Sequence, residues 1–440
     1  MDSPRRISAL ALGLLLLVTA AGCSTVRGHP VVGDSVVRHG VDPSFVFGTD
    51  SSPVDELAAT VVTDAQDYWR RTLPRAFGQP WHDLDGGFFS VDTTDTASEP
   101  PPCTAQVSEL AGNAYYCATV DAIAWDRAAL LPVLRTNYGQ SAVVVVLAHE
   151  MGHAVAHRLR SGETPARKRR PVIVEATADC FAGAYVHRVV TGDSARLGMS
   201  TAELDDALHA LTNFADPVGQ GVTDEHGTAY DRASAFQDGY TGGPTACAGM
   251  TAADRRLSGD WTGDGRRAGD REFPELLNER IPAIRDYFRE LAVHGGWAWT
   301  PPAVRAARDS NTSGCAAEAA VYECRGDVVV DRAALDRLTY ELGDQAAEIP
   351  LVAALATDAL RRSGEDSDAR GLERAATCLS GAHTAERVRG PGNGSAADLD
   401  EAVRSVLAGN SLFAGETISG FEALRAFRTG VRDGVRACSS

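Results

Sequence analysis

Two short residue pairs constrain this chain more than anything else in it. His149 and His153 stand four apart in Ala142-Val-Val-Val-Val-Leu-Ala-His149-Glu150-Met-Gly-His153, and Glu175 and Asp179 stand four apart in Val174-Glu175-Ala-Thr-Ala-Asp179-Cys180-Phe181-Ala182-Gly183. On a helix such a pair shares one face. The stretch from Ser161 to Pro171 reads as an exposed loop between them, long enough to bring a second helix back across the first. Two imidazoles on one face suit Zn²⁺, and Glu150 between them is placed to reach a water at the ion. The alanines around Glu175 and Asp179 favour a buried helix, and buried carboxylates need partners. A zinc ligand plus an acceptor for a ligand histidine would satisfy both. Taken singly, the pairs also fit a surface helix with two histidines and another with two solvated acids.

The longer context, Ala-His149-Glu150-Met-Gly-His153 with Glu175-Ala-Thr-Ala-Asp179-Cys-Phe-Ala-Gly, resembles the bacterial neutral zinc metallopeptidases, a gluzincin-type arrangement. So do Tyr115-Tyr116-Cys117, Asp126 at the end of a strand-like stretch, and His226-Gly227-Thr-Ala-Tyr230-Asp231-Arg232 leading to Phe236, Gly239 and Tyr240. The likeness spans roughly residues 55–250, and the two helix motifs are its specific part. It implies a zincin-like α+β domain with His149, His153 and Glu175 as metal ligands, Glu150 as general base and then acid, and Asp179 orienting a ligand histidine. Three protein ligands leave a fourth position open, as catalysis requires. A developing oxyanion needs a further donor; His226 is the candidate, with Tyr230 behind it. The stretch Ala118 to Trp125 fits either an edge strand that pairs with extended substrate or a plain core strand.

Residues 1–23 read as an export signal. Arg5 and Arg6 precede a largely apolar run, Ile7 to Ala21, too short for a membrane span of ~20 residues. The run ends in Ala20-Ala21-Gly22-Cys23, similar to a lipoprotein signal with Ala20 where Leu is more usual. Lipidation of Cys23 would anchor the chain to the membrane; ordinary cleavage would release it. Both place it outside the cytoplasm, where disulfides persist. Residues 24–50, rich in Gly, Pro, Ser and Val without helical periodicity, read as a tether.

Past the motifs the chain echoes itself in order. Asp67-Tyr68-Trp69-Arg70 returns as Asp286-Tyr287-Phe288-Arg289, and Asp126-Arg-Ala-Ala-Leu130 as Asp331-Arg-Ala-Ala-Leu335. Ser161-Gly-Glu163 returns as Ser363-Gly-Glu365, Leu204-Asp205-Asp206-Ala207 as Leu399-Asp400-Glu401-Ala402, and Ala235-Phe236 with Gly239 as Ala426-Phe427 with Gly430. The expected organisation is a zinc domain over 51–257, a polar linker over 258–270 and a degenerate, metal-free duplicate over 271–440. In the duplicate, Leu351, Val352 and Leu355 count to the positions of His149, Glu150 and His153. Glu373 stands for Glu175, Thr377 for Asp179, and Thr417 falls near the place of His226. One zinc per chain follows.

Nine cysteines fit this scheme. With Cys23 set aside, four lie in each half, and a duplication demands the same pairing twice. The expected bridges are Cys103–Cys117, Cys180–Cys247, Cys315–Cys324 and Cys378–Cys438. A reduced, metal-coordinating set is the alternative, which the export signal disfavours.

The formal charge of −17 over 440 residues argues against nucleic acid as a partner, since phosphate contacts need clustered Lys and Arg. The expected function is zinc-dependent hydrolysis of peptide bonds, in peptide or protein substrates, within the cell envelope. The rivals are a non-catalytic lipoprotein that uses the zinc fold as a binding scaffold, and a zinc amidase acting on cell-wall peptides. For the second half, the roles open are buttressing the first, walling its cleft and binding a partner protein.

Overall fold

The computed structural model describes residues 36–160, 170–215, 226–251, 257–258, 273–307, 315, 319–364, 367–390, 394–408 and 418–438. The fold is α+β, helices dominating two small sheets. The first half runs α1 (Pro53–Phe77), β1 (Gly87–Val91), β2 (Ala114–Cys117), β3 (Ala122–Asp126), α2 (Leu130–Tyr138), α3 (Gln140–Arg160), α4 (Pro171–Val190), α5 (Thr201–Asn213), α6 (Ala229–Gly242) and the short α7 (Thr245–Ala248). The second runs α8 (Phe273–His294), β4 (Val304–Ala306), β5 (Val321–Cys324), β6 (Asp327–Val330), α9 (Arg332–Leu342), α10 (Asp344–Ser363), α11 (Ala369–Arg389), α12 (Ala396–Leu407), α13 (Gly420–Asp433) and a closing 3-10 turn (Val435–Ala437).

Each sheet has three strands, in the orders β1-β3-β2 and β4-β6-β5. In both, the central strand pairs parallel to one neighbour and antiparallel to the other, with Phe89 opposite Ala124 and Tyr115 opposite Ala124 in the first. Every residue of β3 is buried, which explains its Ala-Ile-Ala-Trp composition. The core-strand alternative therefore holds for Ala122–Trp125, and the edge strand beside it is β2. Asp126 ends β3 and turns the chain into α2 by accepting from the amides of Ala128 and Ala129. Asp331 does the same for Ala333 and Ala334 ahead of α9.

The helix α4 is packed on nearly every side, so its sequence is small and apolar. A Cβ on Gly183 would sit 2.0 Å from the Phe236 carbonyl oxygen, and one on Gly239 1.7 Å from that of Cys180. Only two glycines let α4 and α6 come this close. The pair α11 and α13 repeats the arrangement, with Gly381 against Phe427 and Gly430 against Cys378. All four expected disulfides are present, Cys103–Cys117, Cys180–Cys247, Cys315–Cys324 and Cys378–Cys438, and none of them joins the halves.

Two boundaries differ from expectation. The tether assigned to 24–50 ends earlier, because Val36 and Val46 are buried in the core and Phe47 stacks on Phe89 at 4.9 Å. Isolated apolar residues anchor this segment without any periodicity for the sequence to display. Ser258, expected to open the linker, is fully buried and donates to Asp231; residues 259–270 lie outside the described residues, as do Cys23 and Thr417. One core cluster spans both halves, with Leu399, Val403, Val406, Phe421 and Phe427 packed beside Tyr230 and Phe236, and a second cluster around Phe288, Leu351 and Leu355 lies within the second half. The Tyr240 and Phe421 rings meet at 4.5 Å, and Gln237 donates to the Phe421 carbonyl. Among the described residues no helix is long and apolar enough to cross a membrane.

Candidate functional site

The two helix motifs meet where α3 crosses α4. Gly152 permits the crossing: a Cβ there would lie 2.4 Å from the Ala178 carbonyl oxygen, so any larger residue would push α4 away. The close approach carries Glu175 and Asp179 onto the histidine face of α3. His149 Nε2 lies 3.0 Å from His153 Nε2 and 3.2 Å from Glu175 Oε2, and His153 Nε2 lies 3.4 Å from the same oxygen. A tetrahedral ion with bonds of ~2.0–2.1 Å holds its ligand atoms about 3.3 Å apart. The three donors thus form one face of a zinc-sized tetrahedron, and two imidazoles with one carboxylate are a donor set suited to Zn²⁺.

Behind them, His149 Nδ1 donates to Asp179 Oδ1 at 2.7 Å, which turns Nε2 toward the other donors and makes it the nitrogen that would give up its proton to a metal. Asp179 is completely buried and needs more than one donor. Arg232, in the first turn of α6, supplies them from Nε to Oδ2 and from Nη2 to Oδ1, both at 3.0 Å, while its Nη1 donates to the Phe214 carbonyl.

The charges follow from this geometry. Burial pushes the Asp179 carboxyl up, but the Arg232 and His149 charges overcome it and hold it at about 2. Burial likewise disfavours a charged His149, yet Asp179 and Glu175 raise it to about 10 in the protein without metal. For Glu175, hydrogen bonds from the two histidines outweigh burial and keep it well below the usual carboxylate range. Glu150 is the exception: burial dominates and its pKa is raised, against the pull of His149 and His153. A buried carboxyl with a raised pKa beside three converging donors has the character of a general base.

A cleft of about 550 Å³ opens onto these groups. Ala114, Tyr115 and Tyr116 of the edge strand β2 line it, as do Leu211, Phe214 and His226. His226 is exposed at the cleft wall, whereas Tyr230 is buried in the core and does not line the cleft. That placement removes Tyr230 as an oxyanion donor. The Tyr116 hydroxyl donates to Asp121 and lies 3.3 Å from Nδ1 of His157, which also lines the cleft.

The role of Arg232 is absent from the sequence reading. Its only signal was the need of a fully buried Asp179 for a second donor. In the other half, Leu351, Val352 and Leu355 are fully buried apolar residues of α10, and the Thr377 hydroxyl donates to the Glu373 carbonyl. A separate group of three buried carboxylates, Asp344 at the start of α10 with Asp398 and Glu401 in the first half of α12, has Arg387 on Asp398 and the Gln345 amide on Glu401. Comparison with protein-family models, curated proteins and solved structures returned no match.

Proposed function

We propose that this protein is a zinc metallopeptidase of the cell envelope, with His149, His153 and Glu175 as the ligands of a single Zn²⁺. The observation that carries the reading is the triangle of donor atoms, 3.0, 3.2 and 3.4 Å on its sides, next to the buried Glu150. Zinc held there supplies a Lewis acid for a substrate carbonyl and acidifies water. Glu150 takes the proton of the attacking water and delivers it to the leaving amine, roles suited to its raised pKa. Asp179 and Arg232 hold His149 in one tautomer and orientation. His226, at the cleft wall, is the donor assigned to the developing oxyanion.

The edge strand β2 supports a peptide substrate. Among the described residues it pairs only with β3, and its Ala114, Tyr115 and Tyr116 line the cleft, so an extended chain can add alongside it. The scaffold reading gains nothing from Glu150, which zinc binding alone does not require. The direct test compares wild type with Glu150→Gln on a peptide library after metal analysis. Zinc in both proteins with cleavage only by wild type supports the reading; zinc in both with equal inertness favours a scaffold. Cleavage of cell-wall peptides but not of the library favours an amidase.

We also propose that the halves arose by duplication of one zincin-like unit and that the second has lost its metal site. Identical strand order, matching disulfides and the paired glycine contacts support this. Export and a lipid anchor at Cys23 complete the proposal and rest on the signal-like residues 1–23.

A further inference from the structure

The halves exchange helix caps. Asp400, on α12 of the second half, accepts from the first two amides of α6, Ala229 N at 3.1 Å and Tyr230 N at 3.0 Å. Asp205, on α5 of the first half, accepts from the first two amides of α13, Gly420 N at 2.8 Å and Phe421 N at 2.7 Å. In each helix the next amide is taken by the N-cap hydroxyl, Thr228 for α6 and Ser419 for α13. The leading amides of a helix have no intrahelical acceptor, and a carboxylate there also meets the positive end of the helix dipole. Each half therefore completes a helix of the other.

The two caps hold different cargo. One turn into α6 stands Arg232, whose guanidinium clamps Asp179, which in turn holds His149. The residue of α13 that corresponds to Arg232, counted from the paired Phe236–Phe427 and Gly239–Gly430, is Ala423, and Thr377 stands in place of Asp179. The far end of α6 has no slack, because Gly239 is packed against the Cys180 backbone. Its N-terminal end is seated by Asp400, and Ala229 and Tyr230 are buried, so their amides have no recourse to water.

We infer that Asp400 is a positioning residue for the metal site of the opposite half, acting through the N-terminus of α6, Arg232 and Asp179 on His149. Its functional meaning rests on the zinc reading. On this account the second half is a structural part of the active centre, which Asp400 reaches through the first two amides of α6.

Asp205 provides the control, since it makes the same bonds across the same seam without reaching the site. The test uses the full chain with Asp400→Asn and Asp205→Asn. After chelation, the imidazole proton shared by His149 Nδ1 and Asp179 is followed by NMR as a downfield resonance; zinc affinity is then measured by competition with a chromophoric chelator. Both variants should shift the unfolding midpoint alike. Only Asp400→Asn should move or broaden the resonance and weaken zinc binding, by roughly tenfold. Equal effects of the two variants on the resonance and on zinc affinity, or none there from Asp400→Asn, overturn the inference. Wild type that takes up no zinc defeats the zinc reading, while the resonance still decides the positioning claim. If Asp400→Asn does not fold, Asp400→Ser, which keeps a small acceptor at the cap, carries the same comparison.

Discussion

Replacing Arg232 with Met should damage this protein more than any comparable change at its surface. Asp179 is fully buried and accepts three hydrogen bonds, two from Arg232 and one from His149. Charge-assisted bonds contribute about 1.5–3 kcal/mol each, so the gross loss is about 3–6 kcal/mol. Part is recovered because Asp179, held at about 2 by Arg232 and His149, can climb in pKa and protonate. Removal of one partner from a buried ion pair leaves a net cost of about 3–5 kcal/mol. A protonated Asp179 is also a poorer acceptor for His149 Nδ1, so zinc affinity should fall roughly ten- to a hundredfold. The assay is urea unfolding of the chelator-stripped protein at pH 7, followed by zinc competition. Arg428→Met is the reference: Arg428 is 11% exposed, but its partner Asp238 is 28% exposed at the seam, where water can reach the freed carboxylate, and the loss there should be about 1–2 kcal/mol. If Arg232→Met is no worse than Arg428→Met and binds zinc normally, Asp179 does not depend on Arg232 and the chain of contacts to His149 is wrong.

Three further outcomes follow from the same geometry. Without metal, His149 keeps its proton up to about pH 10, so the ion cluster stabilises the stripped protein fully below pH 6.5 and loses that contribution as pH rises through about 10. Zinc uptake at pH 7 must then expel about one proton, which calorimetry in buffers of different ionisation enthalpy will count; uptake without proton release contradicts the assignment. Gly152→Ala should force α3 from α4, costing about 1–3 kcal/mol and weakening zinc binding, because the new Cβ meets backbone at 2.4 Å; an unperturbed variant would mean that the crossing is looser than described. Burial raises Asp205 and Asp400 to about 6 against the pull of their amide donors. The folded stripped protein then binds protons that the unfolded chain releases, so the contribution of these two carboxyls is fully present below about pH 4 and falls by of order 2–3 kcal/mol per carboxyl as pH rises through 6. Either Asn variant should flatten that slope in denaturant titrations, and a slope left intact would exclude these carboxyls as its source.

What the sequence revealed and what it concealed divide along physical lines. The donors His149, His153 and Glu175 were legible because helical periodicity places residues four apart on one face, and chemistry restricts what such a face can hold. The disulfides were legible because a repeated spacing admits the same pairing twice. Arg232 was not, since its partner Asp179 is 53 residues away and no local rule joins them. Asp400 was more remote still, acting on amides 170 and 171 positions upstream. Residues 36–50 were misjudged because a few buried anchors, Val36 and Val46 among them, leave no periodic trace. The burial of Tyr230 was hidden because an aromatic beside a histidine motif reads equally well as core or as cleft.

The most direct test of the account is the zinc content of the purified full chain, measured with wild type beside His149→Ala and Leu351→Ala. One zinc per chain is expected in wild type, none in His149→Ala, and one in Leu351→Ala, whose position packs the core of the other half. A wild-type protein that binds no zinc, or a His149→Ala variant that retains it, would contradict the central claim.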